Sequence, residues 1–465
     1  EYSVFKCVQE VWCPGGTVGS CAEGRVGIGC GECEPGKTPF SDGTCQECTG
    51  GQRLPFVAFC IALMLALCAV YTVSERANPT KQRHSMVLVS ITWSLLVAAL
   101  QQIGVANSLL IEWAQPIKSI VSIVGFLNLD LEVLQLGCVA KTSPLSKYSA
   151  KLAVVAVALA LVFIIHACFV LLKHSGRFRE RTPTLIATLG TVLMVGLISI
   201  AHIAVAPLQC VASPNGLRVV FSYPTVICGE SADHPGMVIG GVFLLMLPLG
   251  FVALCAAAIH QFPSRMSHGD AAFLRSFYFL VVRVRPAAIW FAMVFVTRNL
   301  FVAMVPMLPD AMLQVVVMQI LLASVNLVQT RVFPWRLDIA NNLDSIMIMM
   351  ITSFMCCSAF LVQNSDTQAV AYVGTVQLLF VMLLSCAVLL YSVASHLQRA
   401  KGVKAFKYSI CHHKRDAAAQ AKLLQIMMEE QTQGRVFVDS DNLQQLDKLF
   451  DVIRSQVHAV IALLT

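Results

Sequence analysis

Apolar and polar positions alternate along this chain on the scale of whole membrane spans. Nearly uncharged runs lie near 54–73, 85–108, 151–172, 183–207, 237–259, 287–307, 312–330, 339–362 and 369–395. Each is about 20 residues long, the length that crosses a hydrocarbon core as a helix. The pattern predicts an all-α polytopic membrane protein with about nine transmembrane helices. It adds a re-entrant or interfacial segment, a small disulfide-rich N-terminal module and a C-terminal coiled-coil helix.

Basic residues between the runs give the predicted orientation. The loops at 74–84, 173–182, 260–286 and 331–338, with the start of the tail, carry nineteen lysines and arginines; the opposite loops carry four (Lys118, Lys141, Lys147 and Arg218). The bias places the N-terminus outside and the tail in the cytosol. It holds only if 109–150 begins and ends on the outer side. Its core, PIKSIVSIVGFLNLDLEVLQLGC, is apolar but interrupted by Asn128, Asp130 and Glu132. A single crossing there would move the Arg-rich loop 173–182 outside, so the segment is expected to be re-entrant or interfacial. The run FLRSFYFLVVRVR at 273–285 is too short to span and is expected in the headgroup plane, its arginines toward anionic lipid.

In the tail, Leu443, Leu446, Phe450, Ile453, Val457, Val460 and Leu464 follow a heptad spacing. That register predicts a short coiled coil and self-association, or an amphipathic helix packed on the protein's own membrane domain.

The first 48 residues hold Cys7, Cys13, Cys21, Cys30, Cys33, Cys45 and Cys48 among Gly, Pro and Asp turns. The two C-x-x-C pairs would suit zinc in a reducing compartment, but outside a membrane they predict disulfides. Seven is odd, so one partner is expected elsewhere, in Cys138 or ahead of Glu1. A second pair, Cys210 and Cys228, brackets an outer loop with a Pro-Asn-Gly turn signal and strand-like flanks. The chain starts at Glu1 with neither an initiating Met nor a signal peptide, which predicts that it continues a longer precursor.

Composition narrows the class. Of 465 residues, 57% are apolar and 13% charged, about half the charged share of an ordinary soluble domain, and the net charge of +7 sits in short loops. No nucleic-acid partner is expected. No catalytic constellation, phosphate loop or metal-ligand spacing stands out, so no enzyme, cofactor or metal is predicted; Cys411, His412 and His413 read as a basic juxtamembrane patch. The expected domains are a cysteine-rich EGF-like module at 1–50 and a membrane domain at 51–398, with outer segments 109–150 and 208–236. A cytosolic tail follows at 399–465.

Polar groups inside the spans carry more information, because each is costly in hydrocarbon. Arg298 and Asn299 lie in mid-span, and Gln314, Gln319 and Asn326 recur on the next helix. Asn341, Asn342 and Asp344 open the one after. Asp344 is the expected partner of Arg298, as a structural clamp or as a gating element. Glu112, Asp130 and Glu132 could form a cation-attracting outer mouth, or be solvated charges on an interfacial helix. His166 and His202 read as satisfied core histidines.

CPGGTVGSCAEGRVGIGCGECEPG, with the CQEC that follows, resembles the EGF-like or ephrin-receptor-like repeat of large multipass proteins of algae and other protists. FLNLDLEVLQLGC, RPAAIWFAMVFVTRNL and RVFPWRLDIANNLDSI resemble further parts of that group, and the helical C-terminal half is distantly similar to fungal TRP-like, polycystin-related membrane proteins. The resemblance implies cation flux, calcium transport included, and an oligomer in a plasma or ciliary membrane. It also implies lipid contacts and an extracellular partner for the module. Outer loops 308–311 and 363–368 are too short for a TRP-type pore loop. The expectations for function are therefore a TRP-like cation channel, a non-conducting anchor or receptor, or a small-metabolite transporter.

Overall fold

The computed structural model describes residues 4–5, 7, 12–17, 19–34, 36–39, 44–47, 54–76, 84–111, 113–125, 143–362, 367–401, 406–411, 418–432, 436–438 and 457–462. These fall into two compact units, 1–79 with 93–385 and 80–92 with 386–465.

In the first unit, disulfides Cys7–Cys13, Cys21–Cys30 and Cys33–Cys45 staple a module of two short hairpins. One pairs β1 (Arg25–Val26) with β2 (Glu32–Cys33), the other β3 (Lys37–Pro39) with β4 (Cys45–Glu47). So few apolar residues could not hold this fold without cross-links. Cys30 and Cys33 thus have different partners. Cys48 and Cys138 lie outside the described residues.

The helices are α1 (Leu54–Arg76), α2 (His84–Ala106), α3 (Ile117–Gly125), α4 (Pro144–Lys173) and α5 (Phe178–Val205). Three strands follow, β5 (Cys210–Ala212), β6 (Arg218–Val220) and β7 (Tyr223–Ile227), forming an antiparallel clasp locked by Cys210–Cys228. Then come α6 (Asp233–Ser267), α7 (Ala271–Ser276), α8 (Tyr278–Val281), α9 (Phe291–Met304), α10 (Ala311–Val332), α11 (Asp338–Val362) and α12 (Thr367–Lys401), which leads into the second unit. Among the described residues, eight helices are long and apolar enough to cross a membrane: α1, α2, α4, α5, α6, α10, α11 and α12.

The ninth expected span, 287–307, is shorter than the sequence suggests. Only Phe291–Met307 forms a continuous helical stretch, ending in a 3₁₀ turn. The reason lies just upstream. The run 273–285 does not lie flat as a lipid-facing helix; Phe279, Leu280, Val282, Arg283 and Val284 are all buried. Phe279 occupies the room a side chain at Gly190 would need, and Arg283 reaches Met194, 16 residues and about 24 Å into α5. The chain has thus already entered the bundle before α9 begins. Clustered around this insertion are Leu197, Phe251, Cys255, Ala292 and Val296. Close approach elsewhere also depends on glycine: a Cβ at Gly241 of α6 would collide with the Ala204 carbonyl oxygen of α5.

Both ends of the 109–150 segment sit at the clasp end of the helices. Gln209 Nε2 donates to the Ser108 carbonyl (2.7 Å) as α2 ends, and Tyr148 Oη donates to the Ile203 carbonyl (3.2 Å) as α4 begins. Between them α3, nine residues long, is too short to cross. Ile117 packs against Gly374 of α12, and Trp113 stacks on Phe354 of α11 at 5.3 Å. Residues 126–142 lie outside the described residues. At the other end, Glu75 accepts from Lys173 (3.0 Å) and from His174 Nε2 (2.8 Å), tying α1 to α4.

The second unit corrects the tail. Val457–Ala462 is a strand (β10), parallel to β8 (Phe406–Cys411), which also pairs in parallel with β9 (Val436–Val438). Helix α13 (Ala418–Thr432) crosses between β8 and β9 and covers Ile410, Val436 and Val438 with Ala421, Leu424 and Met428. Val457 and Val460 are therefore strand residues, not coiled-coil positions. A short apolar run such as VHAVIA satisfies either period, and sheet pairing decides between them. Leu443, Leu446, Phe450, Ile453 and Leu464 lie outside the described residues.

Candidate functional site

The buried polar centre of the first unit is where the loop after α10 meets α9. Phe333 ends α10 in the left-handed conformation (φ 47°), which turns the chain so that Trp335 points inward. Asn341 fixes this turn: its Oδ1 accepts from the Trp335 backbone N–H (2.9 Å), and its Nδ2 donates to the Trp335 and Leu337 carbonyls. Gln329 Nε2 donates to the Asn341 carbonyl (2.9 Å). The stretch before α9 is pinned to the same turn. The Arg285 N–H donates to Pro334 O (2.8 Å), Arg336 N–H to Arg283 O (3.0 Å), and Arg285 Nη2 to Asp338 Oδ1 (2.7 Å).

This scaffold presents Asp344 to Arg298. Both are buried, and Arg298 Nη1 stands 3.9 Å from Asp344 Oδ1, within ion-pair reach but beyond hydrogen-bond distance. Trp335 Nε1 donates to the other carboxylate oxygen at 2.7 Å. Arg298 also donates through Nε to Asn299 Oδ1 (3.3 Å), which accepts from Gln102 Nε2 as well (3.3 Å), and lies 4.8 Å from the Phe295 ring centroid. Two opposite charges held in so few contacts, away from water, are expensive to separate.

The other residues singled out from the sequence are scattered. Gln314 closes the end of α9, donating to the Pro306 and Leu308 carbonyls and accepting from the Leu110 N–H. Asn342 is exposed. Gln319 Nε2 donates to Cys356 Sγ (3.1 Å) between α10 and α11. Near it, Asn326, Thr330, Thr352, Ser353 and Cys356 line an open groove of about 540 Å³. Asn326 Oδ1 is buried there without a partner among the described residues. His166 Nδ1 bonds Tyr71 Oη (3.0 Å), and His202 Nε2 bonds Ser108 Oγ (2.9 Å). Glu112, Asp130, Glu132, His412 and His413 lie outside the described residues, and Cys411 is an exposed residue of β8.

Sequence reasoning missed three members of the polar centre. Trp335 carried no role in its loop, Gln102 lay unmarked in an apolar run, and Arg283 was expected in the headgroup plane, facing anionic lipid. The signal for Trp335 was its place in FPWRLD, nine residues before a buried-charge candidate; nothing local marked Gln102.

It also missed that the cysteine-rich module rests on the clasp. Thr225 Oγ1 donates to Glu32 Oε1 at 2.8 Å, and Gly27 and Gly31 lie against Thr225 and Pro224 so closely that a Cβ on either would stand 3.3 Å away.

No family model matches the chain, and neither a curated protein nor a solved structure is significantly similar to it.

Proposed function

We propose that this chain is the membrane domain of a TRP-like cation channel, or of a channel-like protein, that works as an oligomer without catalysing a reaction. The observation that carries this reading is the Arg298–Asp344 pair, buried at 3.9 Å between a short helix and the α10–α11 hairpin. Ionisable groups kept at membrane depth in a lipid-surrounded domain are functional by default, since apolar packing would be cheaper. In this reading, movement of the hairpin relative to α9 separates or closes the pair and is coupled to opening. Glu112, Asp130 and Glu132 gather cations at a re-entrant outer mouth. The α10–α11 groove, with the unpartnered Asn326 oxygen, is the side on which a second copy or lipid packs. The N-terminal module faces the outside of a plasma or ciliary membrane and the tail faces the cytosol, as in the protist and TRP-like proteins it resembles.

A second reading, a non-conducting anchor or receptor, is favoured by a different observation. The stapled module is hydrogen-bonded to the clasp through Glu32 and Thr225, as a mount for a larger outer region with its own extracellular partner would be. A small-metabolite transporter is a third and has no comparable support.

Single-channel recording from purified protein in planar bilayers separates them. Cation currents that lose conductance or selectivity in Asp130→Asn/Glu132→Gln support the channel. Silence across voltage, tension and calcium, from protein shown to be folded, sinks it in favour of the anchor.

A further inference from the structure

Among the described residues, the surroundings of Arg283 do not account for its charge. It is buried, 8% exposed, on the stretch that enters the bundle ahead of α9. Among the described residues its side chain makes a single hydrogen bond, from Nη2 to the thioether of Met194 at 3.3 Å, a weak acceptor. Its Nε is buried with no partner among them, and no described carboxylate pairs with it. Asp344 and Asp338 are engaged by Arg298 and Arg285. A guanidinium stays protonated in a protein, and an ionised group out of water without a counter-charge is strongly disfavoured.

Beside it lies a small, partly enclosed cavity between α2, α5 and α9; Val97, Ala98, Val195 and Phe295 make its wall mostly apolar, and Arg283 and Asn299 are among its polar groups. Its volume is about 20 Å³, room for one water-sized body. The guanidinium at its edge favours a negative one. Asn299 Oδ1 is taken by Gln102 and Arg298, so the amide's remaining polar end is its NH2 donor. A water would accept hydrogen bonds but leave the positive charge uncompensated. A tetrahedral oxyanion is too large.

We propose that this cavity is a structural halide site, occupied by chloride. The ion accepts from the Arg283 guanidinium and the Asn299 amide, and holds the inserted segment against α2 and α5. The site is independent of whether the protein conducts.

The decisive experiment is anomalous diffraction from crystals of the wild-type protein grown with bromide in place of chloride. A bromide peak within hydrogen-bonding distance of Arg283 supports the site; a cavity empty or filled by water at saturating bromide overturns it. In solution, the unfolding midpoint of nanodisc-held wild type should rise by a few degrees as gluconate is replaced by chloride or bromide at constant ionic strength. Arg283→Gln should abolish that dependence, and Arg285→Gln, which removes an exposed pair with Asp338, should keep it. A dependence that survives in Arg283→Gln also overturns the assignment.

Discussion

The indole of Trp335 is the closest hydrogen-bond partner of the buried Asp344 carboxylate, at 2.7 Å, nearer than the arginine that balances its charge. The two contacts contribute differently. Trp335 supplies direction and Arg298 supplies charge, and each has a separable consequence.

Trp335→Phe keeps the edge-to-face packing on Phe291 and Phe295 but removes the N–H donor. Losing a hydrogen bond to a buried charge costs about 1.5–3 kcal/mol. A lowered thermal midpoint in nanodiscs is the expected readout, and an unchanged one would show that Asp344 finds another donor.

Breaking the pair one side at a time should be worse than removing both. Arg298→Met or Asp344→Leu alone leaves an uncompensated charge and should destabilise by about 3–5 kcal/mol. The double variant Arg298→Met/Asp344→Leu should recover most of that loss. If the double is as unstable as the sum of the singles, the two groups do not act on each other.

Gly190→Ala should drive a methyl into the Phe279 ring and loosen the inserted segment, costing about 1–3 kcal/mol as overpacking does. Combining it with Phe279→Leu should restore part of the loss. Unfolding curves of the three proteins decide it, and full additivity would mean the ring is not what the methyl meets.

The clasp should depend on its disulfide. Cys210 and Cys228 close a loop of 18 residues, and removing such a cross-link costs about 3 kcal/mol in the chain-entropy account. Cys210→Ala/Cys228→Ala should expose the Ser213–Leu217 turn to protease and weaken the Glu32–Thr225 contact. Equal cleavage rates in wild type and variant would count against that.

In the tail, Ile410→Asp places a charge beneath α13 and should dissolve the parallel sheet. Amides of Val436–Val438 should then exchange freely with solvent, whereas a tail held by a coiled coil would keep its protection.

The sequence by itself determined the class and much of the plan. Eight of the nine apolar runs are membrane-length helices because length and hydropathy alone set whether a helix can span. The Cys210–Cys228 pair was legible because both cysteines bracket one short loop on one side of the helices. Arg298 and Asp344 stood out because a charge in an apolar run is rare whatever it touches. The remainder depended on tertiary structure, for identifiable reasons. Whether 287–307 spans was decided by Phe279 and Arg283 having already entered the bundle, which no local pattern encodes. Whether Val457–Ala462 is helix or strand was decided by β8, about 50 residues earlier in the chain, because a six-residue apolar run satisfies both periods. Which cations are solvated and which are buried was decided by the folded surroundings. Arg283 and Arg285 are two residues apart in one basic run, yet one is buried beside a small cavity and the other pairs with Asp338 at the surface.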